Sequence, residues 1–446
     1  MTPRARISLL RALLLVAAAG MAGAVGVMAG VGTLGRQAAP PASGPVPQTL
    51  IVVGIDGFRP DYLATADVPA LRHLVDTGVR ADGFVPPFPS KTFPSFLTIA
   101  TGLLPVHHGI LNNTMDDPAI PVRFRLSDHD GRSDPRWWLG EPLWVTAERQ
   151  GVRAAGMFWP GDDVEIRGRR PSDWRRFDQD VPHEARVDQV LTWLARPADT
   201  RPRLVMLYFD LVDTASHSYG PRSREALASA SAADRLVARL LDGIAARGLA
   251  ATTNVVVVSD HGMAETSPDR VVVLDDYLDL STVDVIETGP SVRLQPTRSL
   301  AGTPAARAAW TRRTLAALRD RHPRLQVYRG DRRPARFHYA GSPRLPPIIG
   351  LADDGWLGQT RAPRDRWRAQ GGGVRGEHGF DPALASMHGV FVAAGPAFRA
   401  GVRLPAFESR HAYALFCRVL GIQPSPNDGD AAVTAAALAG TPRRQR

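Results

Sequence analysis

The chain has 446 residues, of which 44% are apolar and 22% charged. That composition excludes wholesale disorder and supplies enough apolar material for a large core. The single cysteine, Cys417, excludes an intrachain disulfide and a thiolate metal cage. The formal net charge is +10, and Lys91 is the only lysine, so the basic balance is almost entirely arginine. A basic balance raises nucleic-acid binding as one class to be tested.

Arg4, Arg6 and Arg11 precede an uncharged stretch from Ala12 to Gly35. This is the positive, then apolar, pattern of an export segment over residues 1–36, with Ala22-Gly23-Ala24 as a small-residue cleavage site. The run is also long enough for a retained inner-membrane anchor, which needs ~20 residues. No Arg-Arg pair precedes the apolar run, so a twin-arginine signal is not indicated. Residues 37–48 are Pro-rich and read as a linker. Export without disulfides points to a periplasmic or otherwise exported bacterial protein.

From Thr49 apolar runs alternate with helical patterns. Leu50 to Ile55 leads into Asp56, Leu204 to Phe209 into Asp210, and Val255 to Val258 into Ser259-Asp260-His261; Val390 to Ala394 is a fourth run. Such runs suit strands buried on both faces of a mostly parallel sheet. Leu71–Val79, Val187–Ala195, Ala226–Arg247 and Ala305–Leu318 read as helices. The alternation predicts an α/β fold, with one large domain over residues 49–440. Ser267–Leu345 reads as strands and a helix without a functional motif. Asp353–Gly373 reads as a long Arg/Gly-rich loop.

In open α/β sheets, ligands sit beyond the carboxyl ends of the strands. Asp56, Asp213 and the Asp260-His261 pair all fall there, each from a different segment. Asp213 and His217 are four apart, and Glu377-His378-Gly379-Phe380-Asp381 adds another histidine, with His388 ten residues beyond His378. Oxygen and imidazole donors without thiolate suit catalytic zinc. The acids exceed the needs of one ion, and two ions ~4 Å apart form a clamp for displacement at phosphorus. Thr92 precedes a helical segment through Thr101. It reads either as a nucleophile at a helix amino terminus or as an ordinary helix cap.

Taken together, several stretches resemble the nucleotide pyrophosphatase/phosphodiesterase family of the alkaline phosphatase superfamily. They are Val53-Gly54-Ile55-Asp56-Gly57-Phe58-Arg59, Lys91-Thr92-Phe93-Pro94, His107-His108-Gly109-Ile110 with Asn113, and Phe158-Trp159-Pro160-Gly161. Asp213 to His217 with Tyr219-Gly220-Pro221, Ser259 to Met263, Asp354-Gly355-Trp356 and His378 to Asp381 complete the pattern in the family's order. The resemblance implies an alkaline-phosphatase-like fold, a central mostly parallel sheet flanked by helices on both faces.

It also implies two zinc ions per chain. Asp213, His217 and His378 look like the ligands of one; Asp56, Asp260, His261 and Thr92 look like those of the other. Thr92 would be the nucleophile of a covalent phospho-threonine route, and Asn113 would hydrogen-bond a phosphoryl oxygen. Phe93, Trp174 and Tyr208 would contact the substrate, a nucleotide or other small phosphodiester. His388 is given a structural role, and His107 and His108 shape the loop that carries Asn113. Asp210 departs from the family, which often has a glutamate there.

Among rivals, a sulfatase would need Cys or Ser followed by x-Pro-x-Arg, whereas Phe96 stands where that arginine would be. A phosphomonoesterase, a choline-headgroup phosphodiesterase and an inactive anchored binding protein are the other readings. No basic-aromatic stripe or DNA-binding spacing is present, so specific nucleic-acid binding is not expected; Arg167–Arg170, Arg361–Arg368 and Arg443–Arg446 read as solvated loops.

Overall fold

The computed structural model describes residues 47–440. The predicted export segment, most of the linker and the last arginine cluster lie outside them. Among the described residues, no helix is long and apolar enough to cross a membrane.

Eight strands form the central sheet: β1 (Thr49–Ile55), β2 (Val79–Ala81), β3 (Ala154–Met157), β4 (Asp173–Arg175), β5 (Leu204–Phe209), β6 (Thr253–Val258), β7 (Phe391–Ala394) and β8 (Val402–Leu404). Their spatial order is β8-β2-β7-β6-β1-β5-β3-β4. β1 pairs in parallel with both β5 and β6, Gly54 standing opposite Tyr208 and Val258. All seven residues of β1 are buried, as in a sheet covered on both faces. β7 runs antiparallel to both neighbours, so the start of this run, not its end, reaches the edge where β1, β5 and β6 finish. Its apolar composition could not reveal that reversal, because a strand buried on both faces reads the same in either direction.

Helices cover the sheet in two sets. On one side α1 (Pro69–Thr77), α3 (His183–Leu194), α4 (Leu211–Tyr219) and α5 (Arg224–Ala246) pack together; α2 (Thr92–Thr101) and α7 (Ala412–Leu420) form a second packed set. Ser223 caps α5 through the Ala226 N–H, and from α5 the buried Asp234 accepts the N–H groups of Ala70 and Leu71, capping α1. Gly54 in β1 leaves room for Phe96 of α2: a Cβ there would lie 2.7 Å from the Phe96 ring.

A smaller antiparallel sheet, in spatial order Val283–Glu287, Ser291–Pro296, Ile348–Ala352 and Leu325–Arg329, packs with α6 (Pro304–Leu318) around its own apolar cluster. The segment read as a loop over Asp353–Gly373 is partly regular. It contains the strand Leu357–Gln359 and a helix over Arg361–Ala369. Trp367 explains the difference, because it is buried in the smaller cluster and its indole N–H donates to the Gly373 carbonyl, anchoring an otherwise charged helix.

Candidate active site

Three strands and two helices converge at one sheet edge. β1 delivers Asp56, whose N–H donates to the Phe209 carbonyl of β5 at 2.9 Å. β6 delivers Asp260 and His261. Asp213 and His217 share one face of α4, as the four-residue spacing requires. Thr92 is the first residue of α2, and the cap position belongs to Lys91, so Thr92 is not itself the helix cap. Gly57 has φ +69°, and a Cβ there would stand 2.9 Å from Asp213 Cα. Glycine is what lets β1 and α4 bring Asp56 and Asp213 together.

The three histidines are oriented in the same way. His217 Nδ1 meets the Gly376 carbonyl at 2.9 Å, His261 Nδ1 the Gly262 carbonyl at 2.9 Å, and His378 Nδ1 the Ser90 carbonyl at 2.8 Å. A carbonyl only accepts, so each Nδ1 donates and each Nε2 keeps a free lone pair. His217 Nε2 lies 3.4 Å and His378 Nε2 3.8 Å from Asp213 Oδ1. His261 Nε2 lies 2.9 Å from Asp260 Oδ2, 3.3 Å from Asp56 Oδ1 and 3.5 Å from Thr92 Oγ1. The His261 and His378 rings stack 3.5 Å apart.

The acids carry the clearest signal. Asp56 Oδ1, Asp213 Oδ1 and Asp260 Oδ2 are buried without a hydrogen-bond partner. Burial, then the neighbouring Asp260 and Asp213, pushes the Asp56 carboxyl well above its ordinary range; burial and Asp213 do the same to Asp260. Burial, then the neighbouring His261, Lys91 and His217, depresses His378. Mutually repelling acids facing imidazole lone pairs are costly alone and favourable around a cation. Two donor groups could hold a metal ion: Asp213, His217 and His378, and Asp56, Asp213 and His261. Asp213 belongs to both. The donors are nitrogen and oxygen only, a set suited to zinc.

Around this core, Tyr208 donates its hydroxyl to Asp56 Oδ2 at 2.7 Å and so orients a donor residue. Asn113 Oδ1 accepts the Phe93 N–H at 3.0 Å, which frees the other end of its amide. Phe93 is 7% exposed and packs against Phe124, Trp138 and the Arg132 guanidinium. Trp174 stands on the edge strand β4, exposed, with Arg170 against its ring. Phe177, three residues on and not singled out by the sequence, sits 5.4 Å from Phe158 and 6.2 Å from Tyr208, and is 40% exposed. Both residues are aromatic and the strand's end is not marked in the sequence, so nothing there favoured Phe177.

Asp210 accepts from His183 and Arg186, both at 3.0 Å; burial opposes its charge, but these partners hold it below the usual carboxylate range. His388 is outside both donor groups and packs against Gly83. His108 is buried, bonded to Pro94, Thr98 and Ile110, and burial depresses it to about 3. It braces the loop leading to Asn113 as a neutral ring. Lys91 lies 3.6 Å from Glu287 of the smaller sheet, which also binds Asn112 at 2.7 Å. No local pattern marks Glu287, because tertiary packing alone brings it here.

The fold and donor set define an alkaline-phosphatase-like α/β sheet edge whose donors could hold metal beside a helix-borne threonine. The model of the family described as type I phosphodiesterase / nucleotide pyrophosphatase matches residues 50–381, and the chain belongs to that family. It is 36% identical over 395 residues to the ectonucleotide pyrophosphatase/phosphodiesterase family member 1 of Mus musculus, covering 87% of this chain and 42% of that protein. It is 36% identical over 386 residues to a venom phosphodiesterase of Crotalus durissus collilineatus, covering 85% and 44% respectively. The chain thus spans less than half the length of these relatives. Among solved structures it resembles murine ectonucleotide pyrophosphatase/phosphodiesterase 5, an inactive threonine-to-alanine variant in complex with AMP. The TM-score is 0.80 at 32% identity, covering 88% of this chain and all of that one.

Proposed function

We propose that the protein is a two-zinc hydrolase that cleaves phosphodiester or pyrophosphate bonds of nucleotides and releases nucleoside 5'-monophosphates. The observation that carries this reading is the set of three partnerless buried carboxylate oxygens facing three free imidazole nitrogens around Thr92. The inactive threonine variant and the AMP of the murine neighbour support it. Asp213, His217 and His378 would hold one ion, and Asp56, Asp260, His261 and Thr92 the other. Bound zinc supplies positive charge that lowers the Thr92 pKa and offsets charge developing at the phosphoryl group.

Thr92 Oγ1 attacks phosphorus as the bond to the leaving oxygen breaks, giving phospho-threonine. Water then cleaves that ester and restores the hydroxyl. The amino terminus of α2 favours the anionic group. With Oδ1 held by Phe93, Asn113 turns its amide N–H groups toward a non-bridging phosphoryl oxygen. Residues 1–36 would direct export, in keeping with relatives named as ectoenzymes or venom proteins.

Hydrolysis of bis-p-nitrophenyl phosphate against p-nitrophenyl phosphate, with ATP, dinucleotides and choline phosphodiesters alongside, tests the reading. Faster turnover of diesters and nucleotides is expected; preference for the monoester overturns it. Asn113→Ala is expected to lower kcat by roughly a hundredfold with little change in KM, as for loss of one oxyanion donor. Steady-state kinetics on the aryl diester checks this.

Phe177, Phe93 and Tyr208 together would form the aromatic wall beside a nucleoside. Phe177→Ala is expected to raise KM for nucleotides several-fold more than KM for the aryl diester. Trp174→Ala, made in parallel, is expected to change nucleotide KM less, since Trp174 is engaged with Arg170. The reverse order would move the wall to Trp174.

A further inference from the structure

A cleft of about 1310 Å³ opens between the hairpin that follows Asn113 and the smaller sheet, beginning at Thr114. It exceeds the ~300–1,000 Å³ usual for a pocket holding one small ligand. Eight arginines and four aspartates line it, with no lysine, glutamate or histidine.

The aspartates are already committed. Asp116 and Asp284 share Arg123, Asp117 holds Arg344, and Asp331 holds Arg329. Arg125, Arg298, Arg307 and Arg312 line the same cleft, are exposed, and make no ion pair among the described residues. Arg307 and Arg312 share one face of α6 with Pro304, Ala308 and Thr311, at the helical three- and four-residue spacing, and that face lines the cleft. Arg293 adds a buried guanidinium to the lining, 3.2 Å from Glu287 and with its Nη2 lacking a hydrogen-bond partner.

Guanidinium groups match phosphate oxygens in bidentate geometry. Four unpaired ones, contributed by the hairpin, a loop and a helix, suit an extended anion better than a single phosphate. No aromatic residue lines the cleft. Grooves that track single-stranded nucleic acid combine positive charge with aromatic platforms for the bases. The missing platforms favour a polymer whose recognition lies in phosphates alone.

We propose that this cleft binds a linear phosphate polyanion of the inorganic polyphosphate kind along its unpaired arginines. None of the proposed metal-ligand or nucleophile residues lines the cleft, and its occupation does not depend on the hydrolytic reading.

The test measures binding of the full, metal-loaded chain to immobilised medium-chain inorganic polyphosphate, with oligothymidylate as a second probe. The parent is expected to bind polyphosphate more tightly than oligothymidylate and to weaken roughly tenfold or more between 50 and 200 mM salt, as for several phosphate contacts. Arg298→Ala/Arg307→Ala/Arg312→Ala is expected to weaken polyphosphate binding at least about tenfold, by loss of charge-assisted pairs. Its melting temperature and aryl-diester activity should stay near those of the parent. Arg224→Ala/Arg235→Ala/Arg247→Ala removes the same charge from exposed positions at and beyond α5 and is expected to change binding less than about twofold. Equal weakening by both triple variants, absence of polyphosphate binding, or tighter binding of oligothymidylate would overturn the proposal.

Discussion

Replacing Thr92 by alanine is expected to reduce hydrolysis of bis-p-nitrophenyl phosphate on the order of ten-thousandfold, the scale seen when an enzyme loses its nucleophile. Thr92 is buried at the first position of α2, with Oγ1 3.5 Å from His261 Nε2. Among the described residues, no other hydroxyl lies within hydrogen-bond distance of a ring nitrogen of His217, His261 or His378. The fold should be unaffected, because Lys91 holds the cap position and the Ser95 N–H to Lys91 carbonyl bond survives the change. Metal content should fall little, since Thr92 is one donor among seven. Thr92→Ser is expected to retain part of the activity, because it keeps the hydroxyl. Wild-type turnover by Thr92→Ala, measured with unchanged metal content, would remove the phospho-threonine route and leave direct attack by water.

The second large effect concerns Asp213. It is a proposed ligand of one ion and alone lies within reach of both donor groups. Asp213→Ala is therefore expected to deplete the ion it shares with His217 and His378 and to weaken binding at the neighbouring group, whereas His217→Ala affects its own ion alone. The loss of activity should be roughly a thousandfold or more and exceed that of His217→Ala, as for loss of charge stabilisation in a dry site. A stability readout separates this from simple damage. Asp213 repels Asp56 and Asp260 in the metal-free chain. Removing it relieves that repulsion, so the metal-free variant should melt higher than the metal-free parent, while the metal-loaded parent melts higher than either. Metal content per chain and melting with and without chelator check both points. A metal-free variant that melts below the metal-free parent would show that Asp213 supports the fold directly.

Much of the site could be read from the chain because its donors follow uninterrupted apolar runs. Asp56 and the Asp260-His261 pair come directly after β1 and β6, and a buried strand is among the plainest patterns a sequence offers. Asp213 and His217 were legible as a pair, since helical spacing alone puts them on one face. Other features depend on tertiary placement. Phe177 and Trp174 are three residues apart in an aromatic, arginine-rich stretch, and only the packing against Phe158 and Tyr208 distinguishes them. Glu287 reaches Lys91 from a strand of the smaller sheet, nearly two hundred residues away in sequence.

The arginine excess shows the same limit. Along the chain its obvious clusters read as solvated loops, yet Arg361–Arg368 lies on a helix. The unpaired arginines of the cleft, Arg125, Arg298, Arg307 and Arg312, come from separated segments and form no cluster in sequence. The helix over Arg361–Ala369 was hidden for a related reason: its charge and flanking glycines outweigh one buried anchor, Trp367.

Metal analysis of purified, active protein bears most directly on the site. Two zinc ions per chain, with activity lost on chelation and restored by zinc, is the expected result. Less than one ion per fully active chain would contradict a two-ion edge built from Asp56, Asp213, Asp260, His217, His261, His378 and Thr92.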